Sequence, residues 1–286
     1  MDLRAVVAIV ASAFLVLLIA ERIAPLRTRS GPFLSRLAIN LGVSALAFSV
    51  SAAVVQPALA GALGWSTRQR FGLAHVVDLP PLARAALVFA LLDLAFYYWH
   101  RLNHEVPALW RFHNVHHCDP ELGVSTSFRF HFGEVALSAV FRIVQVTLIG
   151  ASLPVYAVYE IAFQLNTLFH HSNVRLPIRF ERGLNRVLVT PRMHGIHHSQ
   201  VREETSSNYS VVLPWWDALH RTLRLNVPQA EIVIGVPGYS RPEDNRFWRL
   251  LAMPFRKQRD YWRRPDGNPV ERDPALLRPD PGRLEE

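Results

Sequence analysis

Cysteine is almost missing from this chain of 286 residues: Cys118 stands alone. A single thiol forms no intrachain disulfide and excludes any metal site built from several thiolates. Lysine is just as scarce, with Lys257 the only one among 31 basic residues. The arginines that make up the rest are spread over loops and tail. No basic stripe interleaved with aromatics is present, so a nucleic-acid groove is not expected. Up to about residue 170 no stretch sustains a period-two alternation, and an almost wholly helical protein is expected. Flavin, haem and ferredoxin motifs are lacking, and no Glu-x-x-His pair of the carboxylate-bridged bundle type accompanies the histidines.

What the chain has instead is apolar residues in runs. Half of it is hydrophobic and the mean hydropathy is +0.12, at a formal net charge of +8. The first run, Ala5 to Ala20, contains no charge. A second spans about Leu37 to Gly64 and is interrupted by Pro57; a third, about Ala85 to Trp99, holds only Asp93. The fourth, about Val135 to Phe169, carries Arg142, Pro154 and Glu160. A helix needs about 20 apolar residues to cross a bilayer. Four such runs predict an all-α integral membrane bundle of about four spans. The first lacks a small-x-small cleavage site and reads as a retained span, not a secretory signal. Arg22, Arg27, Arg29 and Arg36 follow run one, and Arg101 and Arg111 follow run three. Two spans separate these basic regions, so both are expected to face the cytoplasm.

Three regions follow: membrane spans and loops over 1–84, a histidine-rich catalytic region over 85–225, and a C-terminal region over 226–286. Within the last, residues 241–264 predict a basic amphipathic helix on an anionic lipid surface. The Pro- and charge-rich tail from Arg264 predicts disorder.

Thirteen histidines are the strongest signal. His100 and His104 are spaced i, i+4, on one helix face. His113, His116 and His117 are spaced i, i+3, i+4, and His194, His197 and His198 repeat that pattern. His170 and His171 close the fourth run. Potential cations gathered beside a membrane are costly unless held neutral, and coordination through the imidazole lone pair does this. So many ligands exceed what one ion takes and suit two. Imidazole serves iron, copper, nickel and zinc alike, so spacing leaves the metal open. Asp93, Glu134, Asn166, Asn208 and Asp217 are candidates to orient ligands or to stand behind them.

The segments "WHRLNH", "WRFHNVHH", "FHHSNVRLP", "TPRMHGIHHS" and "NYSVVLPWWDALHRT", in that order after apolar spans, resemble the fatty acid hydroxylase and sterol desaturase superfamily from about Asp93 to Thr222. The resemblance implies a pair of irons (or zinc in their place in purified protein) that uses dioxygen to hydroxylate or desaturate a lipid. It implies the ligand set His100, His104, His113, His116, His117, His194, His197 and His198, completed by His171 and His170. The sequence departs from relatives at His170, where Gln is frequent, and at Phe132, where Pro commonly follows the histidine equivalent to His131. Implied partners are a fatty acyl, sterol-like or ether lipid and a separate electron donor, either a protein or a pterin. The implied location is a bacterial inner membrane with the histidines facing the cytoplasm. A membrane zinc hydrolase, or a metal-binding or transport protein without redox chemistry, uses the same spacing and stays open here.

Overall fold

Prolines and glycines decide where the apolar runs become helices. The computed structural model describes residues 3–29, 31–277 and 282–284. Its helices are α1 (Leu3–Ile23), α2 (Phe33–Val50), α3 (Gln56–Gln69), α4 (Leu73–Val76), α5 (Pro81–Glu105), α6 (Pro107–His117), α7 (Phe132–Ile149), α8 (Leu153–His171), α9 (Ile178–Leu184), α10 (Pro191–His197), α11 (Arg202–Thr205), α12 (Trp215–His220) and α13 (Phe247–Ala252). Among the described residues only isolated β-bridges occur, so the fold is all-α.

Four stretches are long and apolar enough to cross a membrane: 4–23, 33–76, 81–105 and 132–149. α1 is almost wholly exposed, with apolar side chains such as Leu15, Val16 and Ile19 turned outward, as a lipid-facing helix is. Between α2 and α3 the chain widens into a π turn at Ser51–Val55. The cause is Pro57: it has no N–H to offer the carbonyl of Ala53, and its ring crowds that carbonyl.

The fourth run is not one helix. It breaks at Gly150, where φ is +74°, into α7 and α8. Gly72 (φ +109°) meets Gly150 there so closely that a Cβ on Gly72 would lie 2.4 Å from the Gly150 backbone nitrogen. This Gly–Gly contact joins the far ends of α3 and α7. The two charges in that run form a matched pair, with Arg142 of α7 3.0 Å from Glu160 of α8.

At the opposite end the connections converge. Glu21, at the end of α1, accepts backbone N–H groups from Val124 and Asn173. Arg36 and Asn40, at the start of α2, donate to Asp119 just after α6. Thus α1, α5 and α8 run towards one end of the bundle, while α2–α3 and α7 run away from it. All the long loops and the C-terminal region collect at that end. Arg27 and Arg36, expected to be loop charges, are turned inward and held in this collar.

Two expectations for the C-terminal region are corrected. Residues 241–264 do not form one helix: α13 stops before Pro254, which has no N–H for the Leu250 carbonyl. Leu250 and Met253 instead join a buried cluster with Val43, Trp110, Val115 and Tyr239. The described tail residues are also anchored. Arg272 pairs with buried Glu204 at 2.8 and 2.9 Å, and Leu284 is buried against Val189, Met193 and Leu225. Composition missed this because two side chains suffice to fasten an otherwise polar segment.

Candidate metal centre

Proline starts each helix that carries the clustered histidines. Pro81, Pro107, Pro154 and Pro191 stand in the first turns of α5, α6, α8 and α10, where a missing N–H costs nothing. The histidines fall at the other ends. His104, the pair His116 and His117, the pair His170 and His171, and the pair His194 and His197 occupy the last turns. Four helix C-termini, the negative poles of their peptide dipoles, therefore face one region, a field that favours bound cations.

The imidazoles there sort into two groups. His100, His104, His113, His117 and His197 form one; His116, His171, His194 and His198 form the other. Within each group one nitrogen of every ring lies within 4.8 Å of the corresponding nitrogens of the others. Residues far apart in the chain meet, because His197 of α10 joins the histidines of α5 and α6 while His116 crosses to those of α8 and α10.

Hydrogen bonding assigns the tautomers. His100 Nδ1 donates to the Tyr209 carbonyl at 2.7 Å, and His197 Nδ1 to the Ser207 carbonyl at 2.6 Å. A neutral imidazole has one N–H, so both Nε2 atoms then carry lone pairs. Those two Nε2 atoms face each other at 3.1 Å. Burial holds His197 neutral, pushing it down to about 3 against the Ser207 carbonyl, which acts the other way; burial likewise keeps His116, His117, His194 and His198 well below the ordinary value, with neighbouring histidines adding to the effect. Two opposed lone pairs without a proton between them repel unless a Lewis acid sits there.

The other ligand atoms fit the same reading. Nε2 of His104, His113 and His117 is buried without a partner. His113 Nδ1 is held by Glu134 Oε1 at 2.9 Å, and His171 Nδ1 by the Thr167 carbonyl at 2.8 Å. In the four-histidine group, Nε2 of His171 lies 3.0 Å from those of both His116 and His194, with His198 3.1 Å beyond His194. Phe130 lies flat on His116, ring centroids 4.5 Å apart. The donor set thus fits two metal ions held entirely by imidazole.

Of the ten expected ligands, His170 is the one outside both groups. It is buried beside His194, its Nδ1 3.4 Å from Asn166 Nδ2. Among the expected supporting residues, Glu134 touches a grouped histidine directly. Asp93 instead accepts from Leu213 N and Trp216 Nε1, turning that tryptophan inward. Asn208, at φ +55°, ties the Met193 carbonyl of α10 to Arg224. Asp217 accepts from the backbone of Tyr209 and Ser210, fixing the segment whose carbonyls orient His100 and His197. His131 caps α7 and bonds the Leu251 carbonyl, while His220 packs on Tyr97 and Tyr98.

Spacing did not reveal Ser207, Tyr209 or Arg129. The first two act through backbone oxygens, which no side-chain pattern marks. Arg129 is completely buried, donating to the Val115 carbonyl in the last turn of α6 and to Asn40 and Asn245. A charge inside "SFRFHF" was the available signal.

Residues 85–222 match the family model described as fatty acid hydroxylase. Over 182 residues the chain is 32% identical to the ornithine lipid hydroxylase OlsE of Rhizobium tropici, covering 63% of this chain and 53% of that protein. It is 31% identical to human alkylglycerol monooxygenase over 137 residues, 47% of this chain and 29% of the relative. Human cholesterol 25-hydroxylase is 29% identical over 153 residues, 48% of this chain and 51% of the relative. The chain therefore spans about half, or less, of the length of these relatives. No solved structure matches it.

Proposed function

Because residues 85–222 match the family model described as fatty acid hydroxylase, we propose that this chain belongs to that family and is a membrane-bound non-haem di-iron oxygenase acting on a lipid. The observation that carries this reading is the pair of histidine groups, five and four strong, with two unprotonated Nε2 atoms opposed at 3.1 Å. The hydroxylase and monooxygenase relatives weigh against the hydrolase and transport readings.

Iron, when bound, supplies the one-electron chemistry that activates O2 against an unactivated C–H bond. The chain's own part is placement and exclusion. His100, His104, His113, His117 and His197 would hold one ion, and His116, His171, His194 and His198 the other. Glu134 and the carbonyls of Ser207, Tyr209 and Thr167 fix the rings. Burial of the rings keeps bulk water away. A lipid chain would approach between α5 and α7 along Phe96, Trp99 and Phe141, whose rings pack 4.9–5.9 Å apart; Phe96 lies one turn before His100 and Trp99 directly precedes it. Tyr97 and Tyr98, in contrast, are engaged with Thr222 and His220.

The reading takes residues 85–225 as the catalytic region, a bacterial inner membrane as the location, and the cytoplasm as the side of the histidines, supported by Arg101 and Arg111 at that end. An ornithine lipid, sterol-like or ether lipid is the substrate class that the relatives support. Electrons come from a separate donor. Iron-reconstituted protein in nanodiscs should hold two irons per chain, with Mössbauer spectra of a coupled pair. With a reductant and 18O2, one labelled oxygen should appear in a lipid hydroxyl group. Loss of both signals in His197→Ala would agree; fully iron-loaded, reducible protein that never consumes O2 with any of these lipids would sink the proposal.

A further inference from the structure

The five-histidine group is linked towards the surface by a run of rings in contact. Trp110 of α6 is buried, its ring 4.9 Å from that of His104 and 5.3 Å from that of His117. On its outer side lies Trp262, nearly parallel, with centroids 5.8 Å apart. Tyr261 meets Trp110 edge-on at 5.8 Å and continues to Tyr239 at 5.6 Å, over which Arg259 is placed. Trp262 is half-buried and stands in sequence between Asp260 and Arg263. Both of these line a surface cleft of about 280 Å³, together with Arg241, Arg259 and Arg264.

The cleft is basic: four arginines and one aspartate line it, with Arg263 paired to Asp260 at 3.4 Å and Arg259 paired to Asp244. Residues 241–266 carry eight basic and four acidic side chains, a net +4 of the chain's +8. Its inner wall depends on Gly238, where a Cβ would meet the Asp260 carbonyl oxygen at 2.0 Å. That close approach presses the Asp260–Trp262 segment against Trp110.

We propose that this is where electrons enter: an acidic, one-electron carrier protein docks on Arg241, Arg259, Arg263 and Arg264, and Trp262 and Trp110 couple it to the metal held by the five histidines. The inference rests on the di-iron reading above. Each encounter oxidises one carrier by one electron and reduces one ferric ion to ferrous. Two encounters supply the two electrons that, with two protons, complete the four-electron reduction of O2 when a C–H bond provides the other two. No bond to either tryptophan forms or breaks. The rings act by shortening the gap across which the electron passes, and the arginines by steering the carrier.

The test uses full-length, ferric-loaded protein in nanodiscs of zwitterionic lipid, without O2. Two reductants are compared: a reduced plant-type [2Fe–2S] ferredoxin, which is acidic, and reduced methyl viologen, a small cation with no use for the cleft. Reduction is followed by stopped flow and by Mössbauer spectra of frozen samples, not by turnover. Arg263→Glu with Arg264→Glu should slow reduction by ferredoxin about tenfold or more and flatten its salt dependence. Trp262→Leu should lower the rate at saturating ferredoxin while leaving its concentration dependence unchanged, and Trp262→Phe should restore part of it. Viologen should reduce all variants at the wild-type rate. Unchanged ferredoxin rates in these variants would overturn the proposal, as would a wild type that viologen reduces and ferredoxin does not; both leave the di-iron reading standing. If the arginine variants lose only binding to anionic vesicles, the cleft is a lipid contact and the proposal falls. A wild type that neither reagent reduces removes the di-iron reading with it.

Discussion

At the scale of single residues, the candidate site depends on the groups that hold the histidines as much as on the histidines themselves. Glu134 fixes the His113 ring through Nδ1. Glu134→Ala should therefore weaken metal binding about 10–100-fold without unfolding the protein, which titration against a competing chelator would measure. Arg129 plays a different part. Asp119 is fully buried; burial alone would raise its carboxyl, but Arg36, Arg129 and hydrogen bonds from Asn40 and Thr126 outweigh that and hold it below the ordinary carboxylate range. Arg129→Met leaves Asp119 with weaker compensation and strips the last turn of α6 of its donor. A loss of about 3–5 kcal/mol is expected, visible as a lower Tm in detergent even for the apoprotein. These supporting residues were only partly legible. Glu134 stood out as an acid near a histidine cluster, whereas Asp93, with the same credentials, serves Leu213 and Trp216 instead. Sequence distance could not separate the two, because both lie at reach of some helix end.

At the scale of elements, helices with proline at one end and histidine at the other carry most of the grouped histidines, and the segment 207–210 supplies the hydrogen-bond acceptors for two rings. Asp217 grips that segment through the N–H groups of Tyr209 and Ser210 and through Thr222. Asp217→Ala should release His100 and His197 together while leaving the four-histidine group supported. Iron content after reconstitution is then expected to fall from two towards one per chain, measured by atomic emission on matched preparations. Equal loss from both groups would place the segment's influence elsewhere. The helices themselves were readable from run length and the i, i+3, i+4 spacing. The division of the fourth run into α7 and α8 was missed because mean hydropathy carries the run past Gly150 and Pro154 despite Arg142 and Glu160. Helix breaking there is a matter of backbone conformation, to which hydropathy is blind.

At the scale of the whole molecule, the histidine assembly behaves as one acid-sensitive unit. His197 is held down to about 3, and His116, His117, His194 and His198 shift in the same direction. A depressed folded-state pKa means that the unfolded chain binds protons first. The stability tied to these neutral rings is complete above about pH 6.5, the ordinary histidine value, and is lost progressively as pH falls towards about 3. Thermal unfolding of apoprotein across that window should show Tm declining as pH drops below about 6.5, and holoprotein should release its metal on acidification. An apoprotein whose Tm stays flat down to pH 4 would mean that the rings are hydrated or already charged.

Much of this protein was determined by its sequence alone. Apolar run length dictates membrane-crossing helices, since an unsatisfied backbone in lipid is too costly for any other element here. Histidine spacing dictates that several helices each present a face of imidazoles. Tertiary structure alone decided how those faces are shared: His197 with His100 and His104, His116 with His171 and His194, and His170 with neither group. The physical reason is that helical periodicity is local, set within a few residues by the backbone. Which faces meet depends on crossings fixed by distant contacts such as Gly72 with Gly150, Glu21 with Asn173 and Asp119 with Arg36, and no short stretch of sequence contains both partners.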